Sequence, residues 1–160
     1  RGEVLTQALE ARGFKHDPNI PAAEEGRWVV EVYPHPAMVA LFSLTRTLKY
    51  KRKKQTLEVL HEAWDQFHTY LGKLASADPS LSGLDELLSV QVEDLARGKL
   101  KAHEDEVDAV MCAYIALYAH RWPQRCEVFG NMEGGYILSP TLPARWRPDS
   151  PAAAPGMDDL

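Results

Sequence analysis

From Thr56 onward the apolar positions Leu57, Leu60, Trp64, Phe67, Leu71 and Leu74 recur at alternating steps of three and four. That spacing lays one apolar seam along about five turns of helix, and Ala77-Asp78-Pro79-Ser80 ends it. Residues 3–12, with Val4, Leu5, Ala8 and Leu9, predict a first amphipathic helix closed by Gly13, a residue suited to the left-handed turn after a helix. Lys15 to Gly26 carries two prolines and reads as loop. Trp28-Val29-Val30-Glu31-Val32-Tyr33, stopped by Pro34, reads as a buried strand with a glutamate in its middle.

Pro36 suits the first turn of a helix running through Ala37, Val39, Ala40, Leu41, Phe42 and Leu44. A shorter helix follows the break, around Leu84, Leu87, Leu88, Val92 and Leu95, until Gly98; another runs from Glu104 to about His120 and stops at Trp122-Pro123. Glu127-Val128-Phe129 and Tyr136-Ile137-Leu138, separated by Gly130, Asn131, Gly134 and Gly135, predict a hairpin or two edge segments. Residues 143–160, rich in proline and alanine without apolar period, predict a disordered tail. The pattern thus gives about five helices but only one central strand and a C-terminal pair, too little sheet to cover its own edges.

At 160 residues, with ordinary apolar and charged content, the chain can form one soluble domain. No apolar run reaches the roughly 18 residues of a membrane span, and no signal-peptide pattern opens the chain, so the expected setting is cytoplasmic. Cys112 and Cys126 are too few for a disulfide framework and read as reduced, structural thiols. The net charge of −5 argues against a generic nucleic-acid coat protein, yet its distribution is lopsided. Arg46, Lys49, Lys51, Arg52, Lys53 and Lys54 crowd together, as do Glu104, Asp105, Glu106 and Asp108.

Asp105 and Asp108, three apart, occupy neighbouring positions on one helix face. With Glu31 from the strand they could hold a hard divalent cation such as Mg²⁺, which takes oxygen ligands and can activate water and stabilise phosphoryl charge. The plainer explanation of Glu104, Asp105 and Glu106 is a first turn complementing the helix dipole, at about 0.3–1 kcal/mol each; Asp108 lies a turn further in and fits it less well. Glu31 either faces the solvated side of a sheet or is buried with a partner. The Lys49–Lys54 run either tracks a phosphate backbone, with Tyr50 as a stacking face, or is a solvated helix junction. His35 and His103 are candidate outer-sphere or proton-transfer groups, or else loop and capping residues. No glycine-rich phosphate loop, Cys-x-x-Cys pair or Gly-x-Ser-x-Gly elbow is present, which disfavours P-loop nucleotide hydrolysis, zinc binding and serine hydrolysis.

Four segments occur in order: Val30-Glu31-Val32-Tyr33-Pro34-His35-Pro36, Leu48-Lys49-Tyr50-Lys51, His103-Glu104-Asp105-Glu106-Val107-Asp108-Ala109 and Gly135-Tyr136-Ile137-Leu138-Ser139-Pro140. Together, over about residues 3–142, they resemble the uncharacterised family of predicted RNase H-like nucleases, domain of unknown function 429. That family in turn resembles RuvC-type resolvases, in which carboxylates on the first and fourth strands and an acidic pair on the last helix bind two divalent ions. The resemblance implies an α/β fold, the C-terminal portion of an RNase H-like domain over residues 1–142, with residues 36–100 as a helical insertion. It implies Glu31 as the fourth-strand glutamate and Asp105 with Asp108 as the acidic pair, all three both catalytic and metal-binding, with Mg²⁺ or Mn²⁺ as cofactor. Nucleic acid, DNA or RNA, is the implied partner, with Lys49, Lys51, Arg52 and Lys53 as backbone contacts and His35 and His103 outside the metal ligands.

The family pattern opens with a strand bearing an aspartate, for which this chain offers no match upstream of its first helix. The expectation is therefore a divalent-metal-dependent nuclease in the intact protein, a two-ion site that is incomplete without an upstream aspartate, and a sheet edge that invites self-association into a homo-oligomer. The alternative expectation is a non-catalytic RNase H-like module binding nucleic acid or protein, with the Leu57-to-Leu74 seam as a helix-pairing surface.

Overall fold

Thr56 begins the longest uninterrupted apolar seam by capping it: its Oγ1 accepts the Val59 N–H at 3.4 Å, and α3 runs from there over Leu57–Lys73. In this computed structural model, which describes residues 2–51 and 55–142, Leu60, Trp64, Phe67, Leu71 and Leu74 are all buried. Only Leu57, 55% exposed, stays at the surface. The seam is thus consumed by the protein's own core, which corrects the expectation that it is a free helix-pairing surface.

α1 (Gly2–Glu10) ends ahead of Gly13, whose φ of +83° is the left-handed turn expected there. Inside the expected loop, β1 (Lys15–His16) pairs in parallel with β2 (Trp28–Val29). The strand read over residues 28–33 is split: β2 is followed by a separate parallel bridge from Val32 to Leu138. α2 (Pro34–Leu41) takes both prolines into its first turn and stops sooner than its apolar period suggests, at Ser43 with φ +51°. After α3 come a 3₁₀ turn (Leu74–Ser76), the one-turn helix α4 (Asp85–Leu88) and a second 3₁₀ turn (Val92–Asp94).

α5 (Arg97–Arg121) starts two turns before Glu104. Leu100, 4% exposed, carries the buried face of the helix one turn ahead of His103, in register with His103, Val107, Met111 and Tyr114. Its first turn holds no acidic residue, so dipole complementation does not explain Glu104, Asp105 and Glu106. β3 (Cys126–Asn131) and β4 (Gly135–Pro140) form the expected antiparallel hairpin, with Val128 opposite Leu138. Asn131 Oδ1 accepts the Glu133 and Gly134 N–H groups, which closes the turn.

The architecture is mixed helix and small sheets, broadly α/β, with two two-stranded sheets among the described residues. One core gathers α2, α3 and α5 around Tyr50, Trp64, Phe67 and Met111. A smaller one joins Ile20, Ala119, Tyr136 and Leu138 to Trp28, Val30 and Val32. α5 contributes to both. No helix among the described residues is long and apolar enough to cross a membrane. The tail expected over residues 143–160 lies outside the described residues.

Candidate functional site

Asp108 sits in the middle of α5, 22% exposed, with both carboxylate oxygens engaged. Its Oδ1 accepts a hydrogen bond from the Tyr50 hydroxyl at 2.5 Å, and its Oδ2 accepts one from Lys51 Nζ at 2.6 Å. Two adjacent residues of the segment leading into α3 therefore clamp a carboxylate on a helix they reach across the core. Charge-assisted bonds of this kind are the strong ones.

Tyr50 is fully buried, edge-on to Trp64 at 5.3 Å between ring centroids and tilted on Phe67 at 4.7 Å. It is no stacking face for a nucleic-acid base, as the basic run around it suggested. Its hydroxyl lies 3.5 Å from His35 Nδ1, and the His35 ring stacks on Tyr33. Burial pushes the Tyr50 hydroxyl far above its ordinary pKa, aided by the hydrogen bond to Asp108 and by the charges of Asp108 and Glu104. Tyr50 is therefore held protonated, a standing donor to Asp108.

Glu104 is the residue that spacing alone missed. It lies one turn before Asp108 on the same buried face, is 6% exposed, and its charge acts on the same phenol. Asp105, three residues from Asp108, instead lies on the solvent side, 63% exposed, in an ion pair with Lys101 at the i,i+4 spacing. The available signal is the four-residue step from Glu104 to Asp108, which a helix beginning at Glu104 hides and one beginning at Arg97 reveals.

Glu31 is exposed, and its backbone is held by β4: its N–H donates to the Tyr136 hydroxyl at 3.4 Å and its C=O accepts the Leu138 N–H at 2.8 Å. His103 is buried on α5, with its Nδ1 3.9 Å from the Glu106 carboxylate. Its Nε2 lies 3.2 Å from His68 Nε2 in an N–H···N contact beside Trp64. Burial lowers the pKa of both histidines, helped at His68 by the charge of His103 and opposed at His103 by Glu106. Lys49 is exposed, Lys51 is on Asp108, and Arg52 and Lys53 lie outside the described residues.

Among the described residues no three His, Cys, Asp or Glu side chains are grouped so as to hold a metal ion. Glu31, Asp105 and Asp108 thus do not form one ligand set in this arrangement, and Asp105 is committed to Lys101. Glu104 and Asp108 do fit a hard divalent ion in donor type, because Mg²⁺ is often held by only one or two carboxylates, with water and substrate phosphates completing its shell.

The ordered sequence segments thus meet in space: the first supplies His35, the second Tyr50 and Lys51, the third Glu104 and Asp108, and the fourth pins the backbone of the first. Neither the curated proteins nor the solved structures give a match to this chain. A family model described as "Protein of unknown function (DUF429)" matches residues 1–133, a span that takes in the first three of those segments, and the chain belongs to that family.

Proposed function

We propose that the protein is a divalent-metal-dependent nuclease of the RNase H-like kind, hydrolysing phosphodiester bonds of nucleic acid, with Asp108 at the centre of the reacting site. The observation that supports this reading is the clamped carboxylate itself. Asp108 is partly withdrawn from water, with one oxygen on Tyr50 and the other on Lys51, among residues drawn from distant segments. A structural ion pair needs no second buried carboxylate one turn away, and Glu104 provides one.

Within this reading Tyr50 fixes the orientation of Asp108, since a phenol held protonated donates at every working pH. Lys51 sets a cation beside the carboxylate, where the oxygens of an incoming phosphate would meet it. Glu104 and Asp108 are the residues of this chain that would hold Mg²⁺ or Mn²⁺. Such an ion, when bound, supplies Lewis-acid polarisation of the phosphoryl group and a water of lowered pKa.

The test is a cleavage assay on single-stranded, duplex and branched DNA and RNA with Mg²⁺ or Mn²⁺. It compares the parent protein with Asp108→Asn, Glu104→Gln and Asp105→Asn. We expect Asp108→Asn to abolish cleavage, Glu104→Gln to lower it about 10-fold or more, as losses around metal sites do, and Asp105→Asn to stay near parent. Absence of cleavage across the panel, or an Asp108→Asn variant as active as the parent, overturns the proposal.

A further inference from the structure

Between residues 43–49 and one face of α3 lies an open cleft of about 530 Å³, a size that takes a small ligand. Its shape follows from how the segment is anchored. Leu44 and Tyr50 are buried and Leu48 is half-buried, so the residues between them turn outward. The side chains of Thr45, Arg46, Thr47 and Lys49 are accordingly exposed along the cleft. Ser43 enters it with a left-handed backbone, an uncommon conformation for a residue with a Cβ. From α3, Gln66 adds an amide and Glu62 the single carboxylate of the lining.

Neither Arg46 nor Lys49 has an ion-pair partner among the described residues, although Lys51, Lys101 and Arg121 all do. Two cations against the one carboxylate of Glu62, beside the hydroxyls of Ser43, Thr45, Thr47 and Tyr70 and the Gln66 amide, make a donor-rich, net positive lining. A planar guanidinium matches phosphate oxygens in pairs, an ammonium adds a point charge, and hydroxyls donate to the remaining oxygens. The cleft also has a fixed relation to Asp108, since Lys49 stands two residues before Lys51. That length of chain spans at most about 7 Å, the scale of one nucleotide step.

We infer that the cleft between residues 43–49 and α3 binds a backbone phosphate of a nucleic-acid strand, one step from the phosphate at Asp108, with Arg46 and Lys49 as its main contacts. The inference rests on the nuclease reading for the source of the phosphate, and its test separates the two. Binding of a short fluorescein-labelled single-stranded oligothymidylate is followed by anisotropy in the presence of EDTA, over a series of salt concentrations. The parent is compared with Arg46→Ala, Lys49→Ala and the double variant.

Each phosphate contact to a single strand contributes about 0.7 to the slope of log affinity against log salt. The double variant, which loses one phosphate contact, should therefore lose about 0.7 from that slope and bind at least about 10-fold more weakly at low salt. A slope and affinity equal to the parent's overturn the inference. Displacement of the oligonucleotide by inorganic phosphate as readily as by a mononucleotide also overturns it, because the cleft would then be a free-phosphate site. A changed slope in a protein that cleaves nothing upholds the cleft and sinks the nuclease reading. Cleavage with an unchanged slope does the reverse.

Discussion

Replacing Tyr50 by phenylalanine removes a single oxygen. The ring keeps its contacts with Trp64 and Phe67, so no cavity opens, and what is lost is the bond to Asp108. A hydrogen bond to a charged acceptor contributes about 1.5–3 kcal/mol. For a domain of this size each kcal/mol moves the midpoint by about 2–4 °C, so Tm should fall by about 3–12 °C. The assay is thermal and urea denaturation of the parent, Tyr50→Phe, Asp108→Ala and the double variant. Once Asp108 is gone the phenol has no charged acceptor, and Tyr50→Phe should become nearly neutral in that background, the signature of a coupled pair.

The alkaline limb gives a second reading of the same bond. Because the folded state holds the Tyr50 proton beyond its ordinary pKa of 10.0, the unfolded state has fewer protons above that pH, and stability falls as pH rises. Tyr50→Phe should remove that share of the alkaline loss. A cost below about 0.5 kcal/mol in the parent, within the range of ordinary surface substitutions, or an equal cost in the Asp108→Ala background, refutes the clamp.

The His68–His103 contact predicts acid sensitivity: both histidines are held below 6.5 in the folded state, so the unfolded state binds more protons as pH falls. Their contribution is complete above about pH 6.5 and is lost as pH drops toward the folded values; His68→Gln should flatten that acid limb in a pH series of melting curves, and an unchanged limb would count against it. Asp65 and Glu106, which favour the charged forms, reduce the effect without reversing its sign. Gly130→Ala should destabilise the hairpin by about 1–3 kcal/mol, because φ is +93° and the new Cβ would lie 2.3 Å from the Gly135 carbonyl oxygen. Gly98→Ala, with open space around it in the first turn of α5, should instead stabilise by up to about 1 kcal/mol, and urea midpoints for the two variants should move in opposite directions.

The elements most legible in the sequence were those whose signals are local and redundant. The seam of α3 came with a Thr56 cap before it and a proline break behind it, and the hairpin carried its glycines and Asn131 at the turn. α5 was misread at its start because Gly98 and a single apolar residue, Leu100, gave a weak period. Tertiary burial of Leu100 overrides the low propensity of glycine. That error propagated: a helix beginning at Glu104 makes its acids an end effect, whereas one beginning at Arg97 makes Glu104 an interior, buried residue. Asp108 was legible from its place beyond the acidic run, but its partners were not. Nothing local says that the one aromatic in the basic stretch, Tyr50, turns inward while its neighbour Lys51 follows it to the same carboxylate.

The fastening of Glu31 to β4 through main-chain groups makes genetics at this position easy to interpret. Because Tyr136 and Leu138 grip the main chain, Glu31→Gln leaves those bonds in place and changes the charge. Position 108 offers no such separation. Its carboxylate is at once the chemical group of interest and the tie that holds Tyr50 and Lys51, so loss of function there arrives together with a loss of stability. An activity defect at residue 31 in a protein that melts normally would therefore speak to chemistry more directly than any defect at residue 108.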